Sequence, residues 1–342
     1  MIDLGPVEIT AVGLGSAGCR MVSLLSRESL LVDRFVCVSC DASDLEGAQN
    51  AEKILVTSPV DQKLTPAMVR GLAFGSMSRL RAAVGGSKVV FVVAGLGGAT
   101  GSGLAPLVAS IASEGGATTV GVAVMPFDYE KKMMFYAGVA LRRLREAARG
   151  VIVIDNDTLM RSSPEDSTLV GLFEAANREL VKSLGSLLSR SSDSSVPVGL
   201  NKLLGAVVQD GYALLGVSSS DSSDKAEEAL AGAVVSIGKV AETGEASRAV
   251  VVLRGDKSLS AADVGVTVNR LGSMLNSKDV DVEYGVSYSG AAQLQVSLLA
   301  SGFKSTKYDD YDPITKALKG RVMDDGVDSS LPYGLELLQP CE

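Results

Sequence analysis

The sequence predicts an α/β protein: a parallel-sheet domain joined by a long core helix to a smaller α/β domain. Three observations predict it. Short, fully apolar, β-branched runs alternate with helical patterns through the first half, as strands covered on both faces require. Two of these runs end in glycine-rich loops that open helices. In the second half the strand-like runs alternate only in part between apolar and polar residues, as strands with one solvated face do.

The elements follow in order. Val7 to Val12 is a β-branched run that stops at a glycine loop, and a helical stretch continues through Leu25. Phe35 to Val38 is the second strand. Leu80 to Val84 reads as the end of a helix, and Val89 to Ala94 as a wholly apolar strand. A second glycine loop then opens a helix over Leu104 to Ala112. Thr118 to Val124 and Val151 to Ile154 are two further buried strands. A long helix runs from near Ser167 to about Leu188 and ends at the polar break Ser189 to Ser195. Lys225 to Ser236 is helical, and Ala249 to Leu253, Val280 to Val286 and Gln293 to Ala300 are the later strands. This places a first domain over 1–188, a second over 189–303 and a charged, turn-rich tail over 304–342.

Composition excludes several classes of function. With 32 Lys and Arg against 40 Asp and Glu, the formal charge is -8. That argues against a nucleic-acid or anionic-membrane binder, since both need a net basic field. There is no histidine, so imidazole bases, Ser-His-Asp triads and His-based metal sites are ruled out. There is no tryptophan and aromatics are only 4%, which disfavours stacking platforms for single strands. Cys37 and Cys40 form a CxxC within an apolar strand pattern, with no second pair to complete a zinc site, and read as small core or loop residues. The apolar run Val89 to Ala94 falls far short of the roughly 18–20 residues that span a bilayer. The expectation is a soluble, cytoplasmic protein.

Two loops carry the chemistry. The first, Gly13-Leu14-Gly15-Ser16-Ala17-Gly18, fits GxGxxG, and Asp41 follows the next strand where a ribose-binding acid would stand. The second spans Gly95 to Gly103 and holds five glycines in nine positions. Such a segment can fold its N–H groups onto an anion, with a helix N-terminus behind it. Thr100 and Ser102 add hydroxyls for phosphate or a bound magnesium. The fold is therefore Rossmann-like and nucleotide-binding. A dinucleotide enzyme needs no second phosphate cradle.

Gly97-Gly98-Ala99-Thr100-Gly101-Ser102-Gly103 resembles the signature loop of the tubulin superfamily. The ordered context over roughly residues 7 to 303 is similar to the FtsZ family. Further matches are Cys40-Asp41-Ala42, Pro126-Phe127-Asp128-Tyr129-Glu130, Ile154-Asp155-Asn156-Asp157, Leu172 to Asn177, Gly211 to Gly216, and Tyr284-Gly285 with Gly302-Phe303. The resemblance implies GTP or GDP as ligand, with magnesium accompanying a triphosphate. It implies that Gly13, Gly15, Ser16 and Gly18 wrap the α- and β-phosphates. Gly97, Gly98, Thr100, Gly101 and Ser102 would cradle the β/γ end. Glu130 and Asn156 would hold the ribose, while Phe173 and Asn177 take the base. Each single residue also has a structural reading: Phe173 as core, Glu130 as a helix-start acid, Asn156 as a strand-end turn residue and Asp41 as a cap. The family further implies head-to-tail filaments, a role in cell division or shape, and a tail such as Leu331 to Leu338 docking a membrane adaptor.

Departures from the family pattern alter the expectation. Pro59 to Pro66 lacks the glycine cluster that contacts the γ-phosphate. Pro197-Val198-Gly199-Leu200-Asn201-Lys202 stands at the catalytic loop, with Gly199 and Lys202 where two acids belong. A protonated lysine is a poor base for activating water, so weak hydrolysis or none is expected. Arg178 follows Asn177 in place of an acid, and Met133 and Met134 follow Lys131-Lys132 in place of an arginine. Two alternatives stand beside a filament-forming GTP-binding protein. One is a non-hydrolysing regulatory or structural paralogue that co-assembles with a conventional FtsZ. The other is an NAD-dependent enzyme using GxGxxG.

Overall fold

The computed structural model describes residues 8–28, 30–57, 63–160, 169–190, 196–277, 279–289 and 293–317. The first half runs β1 (Ile9–Leu14), α1 (Gly15–Leu25), β2 (Arg34–Ser39), α2 (Ser43–Glu46), β3 (Glu52–Leu55), α3 (Pro66–Ala73), α4 (Met77–Val84), β4 (Val89–Gly95), α5 (Ala99–Glu114), β5 (Thr118–Met125), α6 (Lys131–Ala147), β6 (Gly150–Asp155), α7 (Asn156–Met160) and α8 (Leu169–Leu187). It continues with α9 (Leu200–Val207), β7 (Tyr212–Ser220), α10 (Lys225–Gly238), β8 (Arg248–Gly255), α11 (Ala261–Met274), β9 (Asp281–Tyr288) and β10 (Leu294–Phe303). A 3₁₀ turn over Lys307–Tyr311 follows.

The strands form one sheet in the order β3-β2-β1-β4-β5-β6-β7-β10-β8-β9. All pairs from β3 to β6 are parallel. β10 runs antiparallel to both β7 and β8. The two halves meet at a short parallel pairing, Ile152 with Ala213 and Val153 with Leu214. The α/β class and parallel first half are as the sequence predicts.

The apolar runs explain why both sheet faces are covered. Along β4, Val89, Phe91 and Val93 belong to one core, and Val90, Val92 and Ala94 to the other. The period of two in a strand sends alternate residues to opposite faces. Helices α1, α8 and α9 close one side; α3, α4, α5, α6, α10 and α11 close the other. Cys37 is buried and Cys40 half-buried within this frame.

Residues 304–317, which the sequence assigns to the tail, pack back onto the sheet and α6. Tyr308 is fully buried. Tyr212 donates its hydroxyl to Asp309 Oδ1 at 2.9 Å, and Arg142 Nε donates to Asp312 Oδ2 at 2.9 Å. Asp312 is only 1% exposed. Burial opposes its charged form, but hydrogen bonds from Thr315 and the Arg142 guanidinium outweigh it and hold the carboxyl below the usual range. The sign follows from linkage. A lowered folded-state value contributes stability above the unfolded pKa, and that stability is lost as pH falls through the folded value. Asp312→Asn is expected to cost about 3 kcal/mol at neutral pH, at the low end of what breaking a buried pair costs. The gap from wild type should close below about pH 4, measured by urea unfolding at several pH values.

Candidate nucleotide-binding site

Because β1, β2, β4, β5 and β6 are parallel, their C-terminal ends share one edge of the sheet, where ligands of open α/β sheets bind. The loops after them enclose a cavity of about 710 Å³, within the usual size for small-ligand sites. Gly15, Ser16, Asp41, Gly98, Thr100, Gly101, Glu130, Asn156 and Asn177 line it together.

Two helix N-termini point into this cavity. α1 begins at Gly15 and α5 at Ala99, and neither has a side-chain cap or an acid in its first turn. The first N–H groups of a helix have no partner within it, and they carry a partial positive charge. Gly98 takes the N-cap position of α5 with φ -75° and ψ 161°. A Cβ there would meet no atom within 4 Å. An anion fits this arrangement: it supplies the acceptors that neither helix receives from its own chain.

The sequence cannot tell which glycines face a ligand and which let backbones touch. A Cβ on Gly13 would lie 2.3 Å from the Gly18 carbonyl oxygen, and one on Gly18 2.3 Å from that of Val93. These two glycines seat α1 against β1 and β4 and do not line the cavity. Gly97, at φ +106°, lets its loop pass Pro126 and Met133. Ser102 is buried, and its Oγ accepts the Gly97 N–H at 2.7 Å. It braces the loop from behind. Phe173 lies on α8 one turn before Asn177, and its side chain falls outside the described residues, as do residues 58–62 and the segment Leu331 to Leu338.

The carboxylates have structural duties as well as a view of the cavity. Glu130 occupies the N-cap position of α6, and its Oε2 accepts the Phe127 N–H at 3.0 Å. Asp41 Oδ1 accepts from Ser43 N at 2.9 Å and from Ser43 Oγ at 2.8 Å. Those bonds, the backbone one first, lower its carboxyl below the ordinary value. Among the described residues no cluster of three or more acid or thiol groups is placed to hold a metal.

Two charged lining side chains were not singled out from the sequence: Arg20 and Asp44. Arg20 is the only cationic side chain among the described residues that line the cavity. It stands four residues after Ser16 on α1, so the i, i+4 spacing of a helix face was the signal available.

Comparison with known proteins agrees with this geometry. The family model for the Tubulin/FtsZ family, GTPase domain, matches residues 8–164. The cell division protein FtsZ of Buchnera aphidicola subsp. Schizaphis graminum is 30% identical over 340 residues, covering 93% of this chain and 87% of that protein. FtsZ 1 of Pyrococcus horikoshii is 32% identical over 228 residues, which is 65% of this chain and 61% of that protein. Among solved structures, an empty FtsZ dimer of M. jannaschii superposes with a TM-score of 0.75 at 26% identity, covering 89% and 94% of the two chains. The chain belongs to the Tubulin/FtsZ family. Within that family, the relatives it resembles include cell division proteins FtsZ. Among the described residues no helix is long and apolar enough to cross a membrane.

Proposed function

We propose that this chain binds GTP or GDP at the strand-end cavity, assembles head to tail into filaments, and hydrolyses nucleotide slowly or not at all. The pair of uncapped helix N-termini across one cavity supports the first part. In this reading the first-turn N–H groups of α1 and α5, with the hydroxyls of Ser16 and Thr100, hold the phosphates. Arg20 adds the positive charge that Asp41, Asp44 and Glu130 oppose. Glu130 and Asn156 meet the ribose, and Phe173 and Asn177 the base. Magnesium supplies charge neutralisation at the terminal phosphates when a triphosphate is bound.

The loop before α9 supports slow hydrolysis. Residues 196–202 carry no carboxylate. Lys202 instead pairs with Glu283 at 2.5 Å. Gly199 has φ 80° and ψ 142°, a region open essentially to glycine alone. The backbone at this point is not shaped to carry an acid. Asp193 lies outside the described residues, and Asp210 follows α9 rather than leading into it. The same features suit a paralogue that co-assembles with a conventional FtsZ and uses nucleotide to hold a filament together. Docking of a membrane adaptor on Leu331 to Leu338 belongs to this reading too.

Self-association draws on the relatives, one of whose solved structures is a dimer. A head-to-tail contact does not close on itself and so builds open filaments. Sedimentation and phosphate release, read at rising protein concentration with GTP, test the proposal together. Polymer that pellets with little phosphate released is the expected result. Brisk, concentration-dependent release would overturn slow hydrolysis, and no pellet under any nucleotide would overturn self-assembly.

A further inference from the structure

The segment that follows β10 reaches the wall of the strand-end cavity at Lys307. Its backbone N–H donates to the Val240 carbonyl at 2.8 Å, just past the end of α10 in the second half of the chain. Its side chain goes the other way. Nζ donates to Asp155 Oδ2 at 2.9 Å and lies 3.6 Å from Asp128 Oδ1.

Those acids belong to the two segments proposed to meet the ribose. Asp128 belongs to the loop that ends at Glu130, and Asp155 and Asp157 flank Asn156. The loops are also tied to each other: the Asp128 N–H donates to Asp157 Oδ2 at 2.8 Å, and the Asp157 N–H to Asp155 Oδ1 at 3.0 Å. Asp155 is 3% exposed. Three carboxylates this close repel one another, and a buried one without a counter-charge is costly. Burial, with repulsion from Asp128 and Asp155, raises the Asp157 carboxyl, which the Asp128 N–H and Lys307 partly relieve. Lys307 is the cation that the structure places against Asp155 and Asp128.

We propose that Lys307 is a positioning residue for the nucleotide. It locks the loop Pro126–Glu130 to the β6–α7 junction at Asp155–Asp157, so that Glu130 and Asn156 face the cavity. Nucleotide affinity thereby depends on the Lys307 side chain itself, and not on how tightly the rest of the segment that follows β10 is capped. The inference rests on the reading of the cavity as a guanine-nucleotide site.

The test compares Lys307→Met, Lys307→Arg and Thr306→Ala in the full chain. Thr306→Ala loosens the same segment by removing its capping box with Asp309, without touching the loops. Two readouts are taken: affinity for fluorescent GTP, and amide hydrogen exchange over 126–130 and 155–158 in the absence of nucleotide. Lys307→Met is expected to lose about tenfold in affinity, within the common range of coupling between sites, and to speed exchange in both loops. Lys307→Arg should restore both, whereas Thr306→Ala should keep wild-type affinity. Should Lys307→Met fail to fold, the double change Lys307→Met with Asp155→Asn removes the buried charge along with its partner and carries the same comparison. Unchanged exchange in the two loops would overturn the proposal, as would equal affinity losses in Lys307→Met and Thr306→Ala. If the wild type itself takes no guanine nucleotide, the reading of the cavity fails, and the exchange measurement still decides the role of Lys307.

Discussion

Gly98→Asp is expected to lower affinity for GTP by more than about 100-fold while leaving the protein folded and slightly more stable. Gly98 already has the extended backbone of an N-cap residue, and space for a side chain is open around it. An aspartate there can accept the Thr100 or Gly101 N–H and complement the helix dipole, worth roughly 0.5 kcal/mol. The same carboxylate takes the donors that a phosphate would use and sets a like charge beside it. Two such charges about 4 Å apart near a protein surface repel by about 4 kcal/mol, and every 1.4 kcal/mol is tenfold in affinity. Thermal melting and a fluorescent-nucleotide titration on one preparation check both halves. A variant that melts higher and still binds as wild type would remove the α5 N-terminus from the site.

Lys202→Asp carries the second large effect, in the opposite direction. It returns a carboxylate to the first turn of α9, where the resemblance places a water-activating acid. Phosphate release is expected to rise by about 100-fold, at the low end of what a positioned general base contributes. The rise should steepen with protein concentration if, as in the proposed head-to-tail filament, this loop reaches a neighbouring subunit's nucleotide. The fold should survive, since Lys202 and Glu283 are exposed and such surface pairs are worth about 0–1 kcal/mol. Gly199→Asp should not match it. Its backbone conformation would add strain of about 1–3 kcal/mol and move the loop. Release that stays flat in Lys202→Asp would mean that the missing acid is not what limits turnover.

The central parallel strands were legible because they are apolar on both faces, whereas β7 (Tyr212–Ser220) drew no strand assignment from the sequence. Val89 to Ala94 offers no polar side for solvent, so it had to be central and covered. The edge strand β3 was not legible: Glu-Lys-Ile-Leu over Glu52–Leu55 has two exposed residues out of four, and edge strands carry charge to stay unpaired. The packing of residues 304–317 was hidden for another reason. Its polar partners lie far away in sequence, Tyr212 for Asp309 and Arg142 for Asp312, and charged turn-rich sequence looks the same whether it is solvated or paired.

The cavity was half-legible. Clustered glycines and hydroxyls marked the phosphate loops, and Glu130, Asn156 and Asn177 came from the family likeness and do share one cavity. What the pattern concealed was the division of labour inside the motif. In Gly13-Leu14-Gly15-Ser16-Ala17-Gly18 the outer glycines touch backbone, and only Gly15 and Ser16 among the expected residues face the cavity. Arg20 and Lys307 were missed because a single basic residue on a helix or in a turn carries no signal until its surroundings are known.

Everything rests on two helix ends gripping one guanine nucleotide. The most direct measurement is equilibrium displacement of a fluorescent GTP analogue from the wild-type chain by unlabelled GTP, GDP and NADH, run beside Gly98→Asp. GTP and GDP are predicted to displace it from the wild type, NADH to leave it bound, and the variant to bind almost none. Displacement by NADH in preference to GTP, or a folded wild type that never takes up the analogue, would contradict the account.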